Sequence, residues 1–303
     1  MSDVNLPKII VIAGTNASGK SSLAIELAKR YNGEIISADS RQIYKGFDLC
    51  SGKVTKEEMG IVPHHLIDIC SIENPYSVSD YQKAVYDLVP QILSRGHIPF
   101  LVGGTGLYIS SVVYGYRFEK ELQDPEFRKQ LEEKSVEELR GMLSEEAADY
   151  FNGNHSDLQN KRRLIRVLER ARNGETLRQC NQPIFNPLQL GVTWKKEILH
   201  RRIEERLKDR LDNGMVEEIR KYLNDGHQPD NLYRLGLEYR YISWYVEGKY
   251  SSFEEFSQEL SQAIKKFAKR QMTWFKRDKT IHWLDMENDG LAQACGLINS
   301  FLT

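Results

Sequence analysis

The chain has 303 residues, of which 40% are hydrophobic and 28% charged, and its formal net charge is −1. This composition is typical of a folded globular protein and excludes an intrinsically disordered one. The length allows one large domain or a core domain with an insertion, and the near-neutral charge means that a nucleic-acid site would need locally concentrated positive charge.

The cysteines and the hydropathy give expectations about the compartment. Cys50, Cys70, Cys180 and Cys295 are far apart, so there is no CxxC pair of the kind found in zinc or redox sites. No secretory leader precedes the first predicted strand, and no uninterrupted apolar run is long enough to cross a membrane. We therefore expect a cytoplasmic protein with reduced thiols and no membrane contact, and a monomer.

Strands and helices alternate through the first third of the chain. The predicted elements are strands at 9–13, 34–38, 66–69 and 98–102 and helices at 21–31 and 79–95. The second helix has a plausible N-cap in Ser77 or Ser79 and contains Pro90, which we expect to kink or break it. This order predicts an α/β fold, a doubly wound parallel sheet like that of the P-loop NTPases.

The composition changes after Tyr116, where an acidic helical stretch is followed by a strongly basic one. We expect the first part of the core at 1–116, a helical insertion domain at 117–190, and the completion of the core with C-terminal helices at 191–303. The helical stretches predicted in the last part are 200–223, 236–247 and 253–276.

The segment after the first predicted strand has the spacing GxxxxGK[ST]. It consists of Gly14, Thr15, Asn16, Ala17, Ser18, Gly19, Lys20 and Ser21. The order strand, glycine-rich turn, helix predicts a phosphate-binding loop, whose backbone N–H groups and helix dipole hold a diphosphate or a triphosphate. Lys20 would add a positive charge, and the Ser21 hydroxyl can bind a Mg²⁺ that bridges phosphate oxygens.

Polar side chains follow the second predicted strand. Asp39 should lie near the phosphate loop, because the carboxyl ends of parallel strands share one edge of the sheet. There it could act as a general base or an outer-shell Mg²⁺ partner; the alternative is a helix N-cap, for which Ser40 is the better candidate. Gln42 can recognise the edge of an adenine, or it can be an exposed turn residue.

The fourth predicted strand ends in a second glycine-rich turn, in which Gly103, Gly104 and Gly106 surround Thr105. Glycines allow close backbone approach, and Thr105 is the one functional side chain among them. The absence of an acidic residue here, the Walker B position of a P-loop kinase or ATPase, weakens a nucleotide-hydrolysing interpretation. The neighbouring His64 and His65 point to opposite faces of an extended segment, which favours a loop against the sheet edge over a zinc site.

Positive charge is concentrated in three segments. They contain Arg162, Arg163, Arg166 and Arg170; Arg201, Arg202, Arg206 and Arg210; and the run 265–277 with Phe267, Trp274 and Phe275. Basic side chains interleaved with aromatic rings suit a nucleic-acid backbone and an unstacked base, although the rings can also be core residues, Phe267 more so than Trp274. The clusters indicate a polyanion larger than a nucleotide.

Taken together, the motifs GxxxxGKS, DSRQIY, HHLID, GGTGLYI, QNKRR and KRQxTWF resemble those of the bacterial tRNA dimethylallyltransferases, also called tRNA isopentenyltransferases. The resemblance covers most of the chain. It implies transfer of a dimethylallyl group from dimethylallyl diphosphate to N6 of adenosine 37, next to the anticodon of tRNA, with Mg²⁺ as cofactor and diphosphate as product. It also implies that the phosphate loop holds the prenyl donor's diphosphate.

The resemblance further implies roles for individual residues. The catalytic residues would be Asp39, Thr105, Lys20 and Ser21, with the whole loop from Gly14 to Ser21 binding diphosphate and Ser21 binding the metal. The anticodon stem-loop would contact Asp39, Ser40, Arg41, Gln42, Thr105, Arg128, Gln159, Asn160, Lys161, Arg162, Arg163, Arg234, Leu235, Gly236, Leu237, Glu238 and Tyr239.

The sequence departs from the family pattern at three places. Thr15-Asn16 replaces Pro-Thr, and Ser21 replaces a commoner threonine, and both changes keep the cradle and the hydroxyl. The segment 234–239 keeps Gly236 but not the residues around it, and the Cys/His zinc module of eukaryotic relatives is not present in the sequence.

Two other functions stay open at this point. An ATP-dependent small-molecule P-loop kinase would explain the phosphate loop and Asp39 but not the basic clusters. An RNA-binding protein with a regulatory or vestigial loop would bind tRNA without prenyl transfer.

Overall fold

The computed structural model describes residues 6–118, 124–146, 157–172 and 181–303. The chain divides into two compact units, of which unit 1 comprises Met1–Gly115 and Pro183–Thr303 and unit 2 comprises Tyr116–Gln182. Three stretches of the predicted insertion, 119–123, 147–156 and 173–180, lie outside the described residues.

Unit 1 is built on one parallel sheet. Its strands are β1 (Lys8–Gly14), β2 (Gly33–Ser37), β3 (His64–His65), β4 (Ile98–Gly103), β5 (Asn186–Thr193) and β6 (His282–Asp285). Their order across the sheet is β3-β2-β4-β1-β5-β6, and all neighbours pair in parallel, with Ile12 of the central strand opposite both Val102 and Leu190. The predicted α/β fold with a parallel sheet is confirmed.

Helices cover the sheet and extend beyond it. In unit 1 they are α1 (Lys20–Arg30), α2 (Asp48–Ser51), α3 (Lys56–Ile61), α4 (Val78–Ser94), α5 (Gly106–Val113), α9 (Lys196–Asp212), α10 (Met215–Asn224), α11 (Pro229–Leu235), α12 (Leu237–Val246), α13 (Phe253–Phe275) and α14 (Gly290–Leu302). In unit 2 they are α6 (Pro125–Glu133), α7 (Val136–Glu146) and α8 (Lys161–Arg172), with a 3₁₀ turn at Asp157–Gln159.

The core has two layers because β1 is buried on both faces. Ile9 and Val11 pack with residues of α4 and α5, whereas Ile10 and Ile12 pack with residues of α1 and α14. A run of β-branched residues buried on both faces is typical of a parallel sheet covered by helices. A third apolar cluster joins α9 to α13 with the segment 43–50, which follows β2.

A predicted strand and a predicted helix differ from the elements in the structure. The strand predicted at 66–69 does not form, because Leu66 and Asp68 have φ angles of 60° and 54°, which extended backbone does not adopt; the edge strand is His64–His65 instead. The helix predicted at 200–223 is interrupted at Gly214, whose φ of 99° favours glycine, so that α9 and α10 are separate helices.

Helix α4 continues through Pro90, so the break that we considered there does not occur. Its first turn is fixed by a capping box, in which Ser77 accepts a hydrogen bond from Asp80 N and the Asp80 carboxylate accepts one from Ser77 N. Ser77 is therefore the N-cap residue.

A buried carboxylate ties the edge of the sheet together far from the carboxyl ends of the strands. Glu34, in β2, has a side chain that is 3% exposed. It accepts hydrogen bonds from Arg95 at 2.7 and 2.9 Å and lies 2.6 Å from His65 Nε2 and from His97 Nδ1. The hydrogen bonds from Arg95, supported by those from the two histidines, lower the pKa of Glu34 to about 2.

Unit 2 has its own small core. The buried side chains come from α6, α7, the 3₁₀ turn and α8; they include Phe127, Leu131, Leu139, Leu143, Leu158, Leu164, Ile165, Val167 and Leu168. In either unit, no described helix combines the length and the apolar character needed to cross a membrane.

Candidate active site

The phosphate loop connects β1 to α1 and leaves the start of the helix open to an anion. Ala17 and Gly19 have φ angles of 58° and 83°, and Gly19 caps α1 without a side-chain hydrogen bond. The first turn of α1 carries no acidic residue. The positive end of the helix dipole and its first N–H groups are therefore available to a phosphate group.

Side chains from the second half of unit 1 hold the loop from outside. Trp194 Nε1 donates to Ser18 O at 2.7 Å, and Arg202 Nε donates to Ala17 O at 2.9 Å. Because the two carbonyls are bound this way, the loop's conformation is set before an anion arrives.

Lys20 lies in the loop with its side chain almost completely buried, and its Nζ donates to Thr15 O at 3.3 Å. Burial lowers the pKa of Lys20 to about 8; the negative charge of Asp39 opposes this shift, and the positive charge of Arg206 adds to it. The negative charge of a bound diphosphate would offset the effect of burial and favour the charged ammonium form of Lys20.

This pKa predicts a pH dependence. Because the folded-state pKa of Lys20 is about 8, the free protein loses this positive charge as the pH rises through 8, and we expect diphosphate affinity to fall by up to about tenfold per pH unit above it. Titration calorimetry with inorganic diphosphate from pH 7 to 9.5 measures this. Lys20→Met should bind weakly without that pH-dependent loss; a parallel loss in both proteins would show that the diphosphate's own titration is responsible.

Asp39 follows β2 at the same edge of the sheet as the phosphate loop. Its Oδ1 accepts a hydrogen bond from Arg41 N at 2.9 Å, and the side chain is half-buried. The alternative that Asp39 or Ser40 caps a helix is wrong, because the residues that follow form turns and the next helix begins at Asp48.

The second glycine turn holds the Asp39 loop against the sheet. Thr105 Oγ1 accepts a hydrogen bond from Ser40 N at 2.9 Å and donates to Ser40 Oγ at 3.2 Å. Gly103 approaches so closely that a Cβ there would lie 2.1 Å from Ala38 O. Thr105 therefore positions the loop that carries Asp39.

Removing the Thr105 hydroxyl tests that role. We expect Thr105→Val to lower kcat by about tenfold, because two hydrogen bonds that orient the Asp39 loop are lost. Thr105→Ser retains the hydroxyl and should stay within about twofold of the parent. Steady-state kinetics on both variants decide, and equal losses would contradict this account.

Gln271, on α13, joins the two loops and was not recognised as a site residue from the sequence. It is buried, accepts a hydrogen bond from Asn16 N at 3.0 Å and donates to Gly104 O at 3.0 Å. Next to it, Trp274 packs against Gly106, where a Cβ would meet the indole at 2.3 Å. Two residues of the basic and aromatic run 265–277, Gln271 and Trp274, therefore belong to the site itself.

The comparisons with known proteins agree with this geometry. Residues 42–278 match the family described as IPP transferase. The chain belongs to the IPP transferase family. A protein named tRNA dimethylallyltransferase 2 from Shewanella sediminis is 41% identical over 297 residues, covering 96% of this chain and 97% of that protein.

Another relative and two solved structures extend the likeness. The tRNA dimethylallyltransferase 2 of Bacteroides fragilis is 43% identical over 287 residues, covering 91% of this chain and 92% of that one. The tRNA isopentenylpyrophosphate transferase of Bacillus halodurans superposes with a TM-score of 0.73 at 32% identity over 97% of both chains. A eukaryotic dimethylallyltransferase acting on tRNA gives 0.84 at 25% identity, over 98% of this chain and 79% of that one. This IPP transferase is thus a prenyl-group transferase.

The arginines of α9 in this IPP transferase mostly serve its interior. Arg202 holds the phosphate loop, Arg206 donates to Gly52 O at 2.9 Å, and the buried Arg210 donates to Leu49 O and Cys50 O. Burial lowers the pKa of Arg206. The prediction that this helix presents a basic face to a polyanion was wrong for these three side chains, because their partners are backbone carbonyls: Ala17 O for Arg202 and carbonyls of the 49–52 segment for Arg206 and Arg210.

Ser21 fits the metal role predicted from the sequence. It is half-buried at the second position of α1, directly after Lys20 in the chain. Mg²⁺ commonly takes one or two protein oxygens and completes its shell with substrate phosphates and water. A single hydroxyl beside an anion cradle meets that requirement. Among the described residues there is no cluster of three metal-binding side chains.

Residues predicted to contact tRNA meet near Asp39 in unit 1. Arg41 lies against Gly236, where a Cβ would be 3.3 Å from its guanidinium and where φ is 128°. The Gln42 amide accepts from Ser37 Oγ and donates to Gly52 O, so base recognition would use its remaining hydrogen-bonding capacity.

Within the segment 234–239, the structure separates exposed residues from core residues. Arg234 is exposed, and Leu237 and Glu238 are half-buried. Leu235 and Tyr239 are 4% and 1% exposed and pack in the third apolar cluster. Direct RNA contact by the side chains of these two residues is therefore corrected to a core role, because both are packed in that cluster.

The other residues predicted to contact tRNA belong to unit 2. Gln159, Arg162 and Arg163 are exposed, and Asn160 caps α8 by accepting from Arg163 N. Lys161 Nζ donates to Glu132 O at 2.8 Å. Arg128 pairs at 3.3 Å with both Glu132 and Glu169, so part of its charge is already balanced.

Proposed function

We propose that this protein transfers the dimethylallyl group of dimethylallyl diphosphate to N6 of adenosine 37, next to the anticodon of tRNA. Diphosphate is the second product, Mg²⁺ is the cofactor, and the protein acts as a cytoplasmic monomer. The observation that carries the proposal is the placement of Asp39 beside the phosphate loop, where its charge acts on Lys20. One edge of the sheet thus offers a base for the nucleophile and a cradle for the leaving group.

The adenine amine is a poor nucleophile because its lone pair is delocalised into the ring. Asp39 accepts a hydrogen bond from N6–H, orients the amine and takes its proton as the new C–N bond forms. The hydrogen bond from Arg41 N to Asp39 Oδ1 and the hold of Thr105 on Ser40 keep that carboxylate in place.

The leaving diphosphate gains negative charge as the allylic C–O bond breaks. Lys20 and the N–H groups at the start of α1 stabilise this charge. Mg²⁺, bound by Ser21 and the phosphate oxygens, would neutralise further charge on the diphosphate. Positive charge spreads over the prenyl carbons, so water must be kept from the site.

The target base must leave its stack to reach Asp39. Unstacking costs about a few kcal/mol, and the cost is smaller for a nucleotide in a loop than in a duplex. This favours an anticodon-loop adenosine, and Arg41, which lies two residues after Asp39 in the chain and contacts Gly236, is suited to holding a phosphate of that loop.

One incubation separates the proposal from its alternatives. The protein is mixed with unmodified tRNA, Mg²⁺ and either labelled dimethylallyl diphosphate or γ-labelled ATP. We expect label in tRNA from the prenyl donor and none from ATP. Phosphoryl transfer from ATP would indicate the kinase, which the comparisons do not favour, and tRNA binding without label would indicate an RNA-binding protein.

A further inference from the structure

We propose that Gln271 determines which polyphosphate the phosphate loop accepts, by fitting the loop to a diphosphate and excluding a third phosphoryl group. This inference deepens the proposed function and rests on it, since it concerns the anionic half of the prenyl donor. Both hydrogen bonds of Gln271 go to backbone groups of the two loops, and the role that we assign to it is specificity.

Gln271 occupies one of the hydrogen-bond donors of the phosphate loop. Each free backbone N–H of a phosphate loop can bind one phosphate oxygen. In this protein the Asn16 N–H donates to Gln271 Oε1 at 3.0 Å. The loop therefore has one donor fewer for its anion, and the donor that is withdrawn lies at the start of the loop, away from the helix.

Gln271 also fills space next to the second glycine turn. Gln271 Nε2 donates to Gly104 O at 3.0 Å, and a Cβ on Gly104 would be 2.7 Å from Nε2 and 3.6 Å from Lys20 Nζ. The side-chain amide and the Lys20 ammonium group thus both lie next to Gly104, and the amide bridges the two loops. Because the lysine of a phosphate loop reaches toward the outermost phosphates, this is where a longer polyphosphate would extend.

Gln271 is a neutral residue among basic ones. Gln271 is 7% exposed and stands in the run 265–277, whose other polar members include Lys269 and Arg270, both exposed. A basic residue at position 271 would attract a further phosphate, whereas a neutral amide fills the space and satisfies both loops. Its two hydrogen bonds keep it from turning toward the anion.

Binding of inorganic diphosphate and inorganic tripolyphosphate tests the inference without tRNA or a prenyl group. Titration calorimetry at pH 7 gives both dissociation constants for the full-length protein. The unchanged protein should bind diphosphate more tightly, although tripolyphosphate carries more charge. In Gln271→Ala we expect that preference to fall by about tenfold, the value of one hydrogen bond to a charged group.

Two further variants make the result specific. Gln271→Glu can still accept from Asn16 N but brings negative charge, so the preference for diphosphate should increase. Gln262→Ala removes an exposed glutamine from the same helix and should change neither constant. Equal weakening of both anions in Gln271→Ala, or tighter tripolyphosphate binding by the unchanged protein, would overturn the inference.

Failure of the role of Gln271 and failure of the proposed function give different results. If the selectivity behaves as expected but no label enters tRNA, the prenyl-transfer proposal fails while the role of Gln271 stands. If label enters tRNA and the selectivity is unaffected by position 271, only the role of Gln271 fails.

Discussion

Asp39→Ala will lower kcat for prenyl transfer by about a thousandfold, while tRNA affinity stays within about threefold of the parent. The carboxylate acts on the amine proton in the transition state, so its loss affects the chemical step more than binding. Single-turnover kinetics with excess protein give the chemical rate, and a filter-binding titration gives the tRNA dissociation constant.

Asp39→Asn separates a role of Asp39 as general base from a role in holding the turn that follows β2. Its amide oxygen can still accept the hydrogen bond from Arg41 N, so the loop keeps its shape, but it cannot take a proton at neutral pH. We expect it to be nearly as slow as Asp39→Ala. Asp87→Asn, on the exposed side of α4, is the matched control. Near-normal turnover by Asp39→Asn would leave Asp39 only a structural role.

Glu34→Gln will lower the free energy of unfolding at pH 7 by about 3 kcal/mol, because its pKa falls from 4.5 to about 2 on folding and each unit is worth about 1.4 kcal/mol. Since the folded-state pKa is depressed, the stabilisation is complete above pH 4.5 and disappears as the pH falls through about 2. Urea denaturation across that interval measures it.

The matched control is Glu26→Gln on α1, whose exposed side chain lies 3.9 Å from Arg30 and should contribute less than about 0.5 kcal/mol. The difference between the parent and Glu34→Gln should shrink between pH 4.5 and 2. A difference that stays constant through this interval would mean that ionisation of Glu34 is not its source. Prenyl transfer by the folded variant should be unchanged, because Glu34 and Asp39 lie at opposite ends of β2.

Features that are local in the sequence could be predicted. The phosphate loop is eight consecutive residues between an apolar strand and a helix, and Asp39 follows the next strand, so parallel pairing alone brings them to one edge. The strand at 66–69 failed because a short apolar run does not reveal positive φ angles at Leu66 and Asp68.

Contacts between distant segments could not be predicted in this way. Gln271 is 255 residues from Asn16, and their hydrogen bond depends on how α13 packs against the sheet. The available signal was the motif KRQxTWF, in which Gln271 is an uncharged polar residue directly after Lys269 and Arg270. Arg206 and Arg210 of α9 were misread for the same reason, since their spacing is that of an exposed face but their carbonyl partners come from residues 49–52.

The close contact between the Gly103 backbone and Ala38 O limits which residues evolution can place at position 103. An acidic residue at the end of β4, the usual mark of nucleotide hydrolysis, would need a Cβ only 2.1 Å from that oxygen. No point mutation at this position can therefore restore such chemistry, because the neighbouring strands would first have to separate. The distance between the main chains at Gly103 and Ala38, rather than the identity of any side chain, therefore separates this protein from the P-loop proteins that carry an acidic residue there.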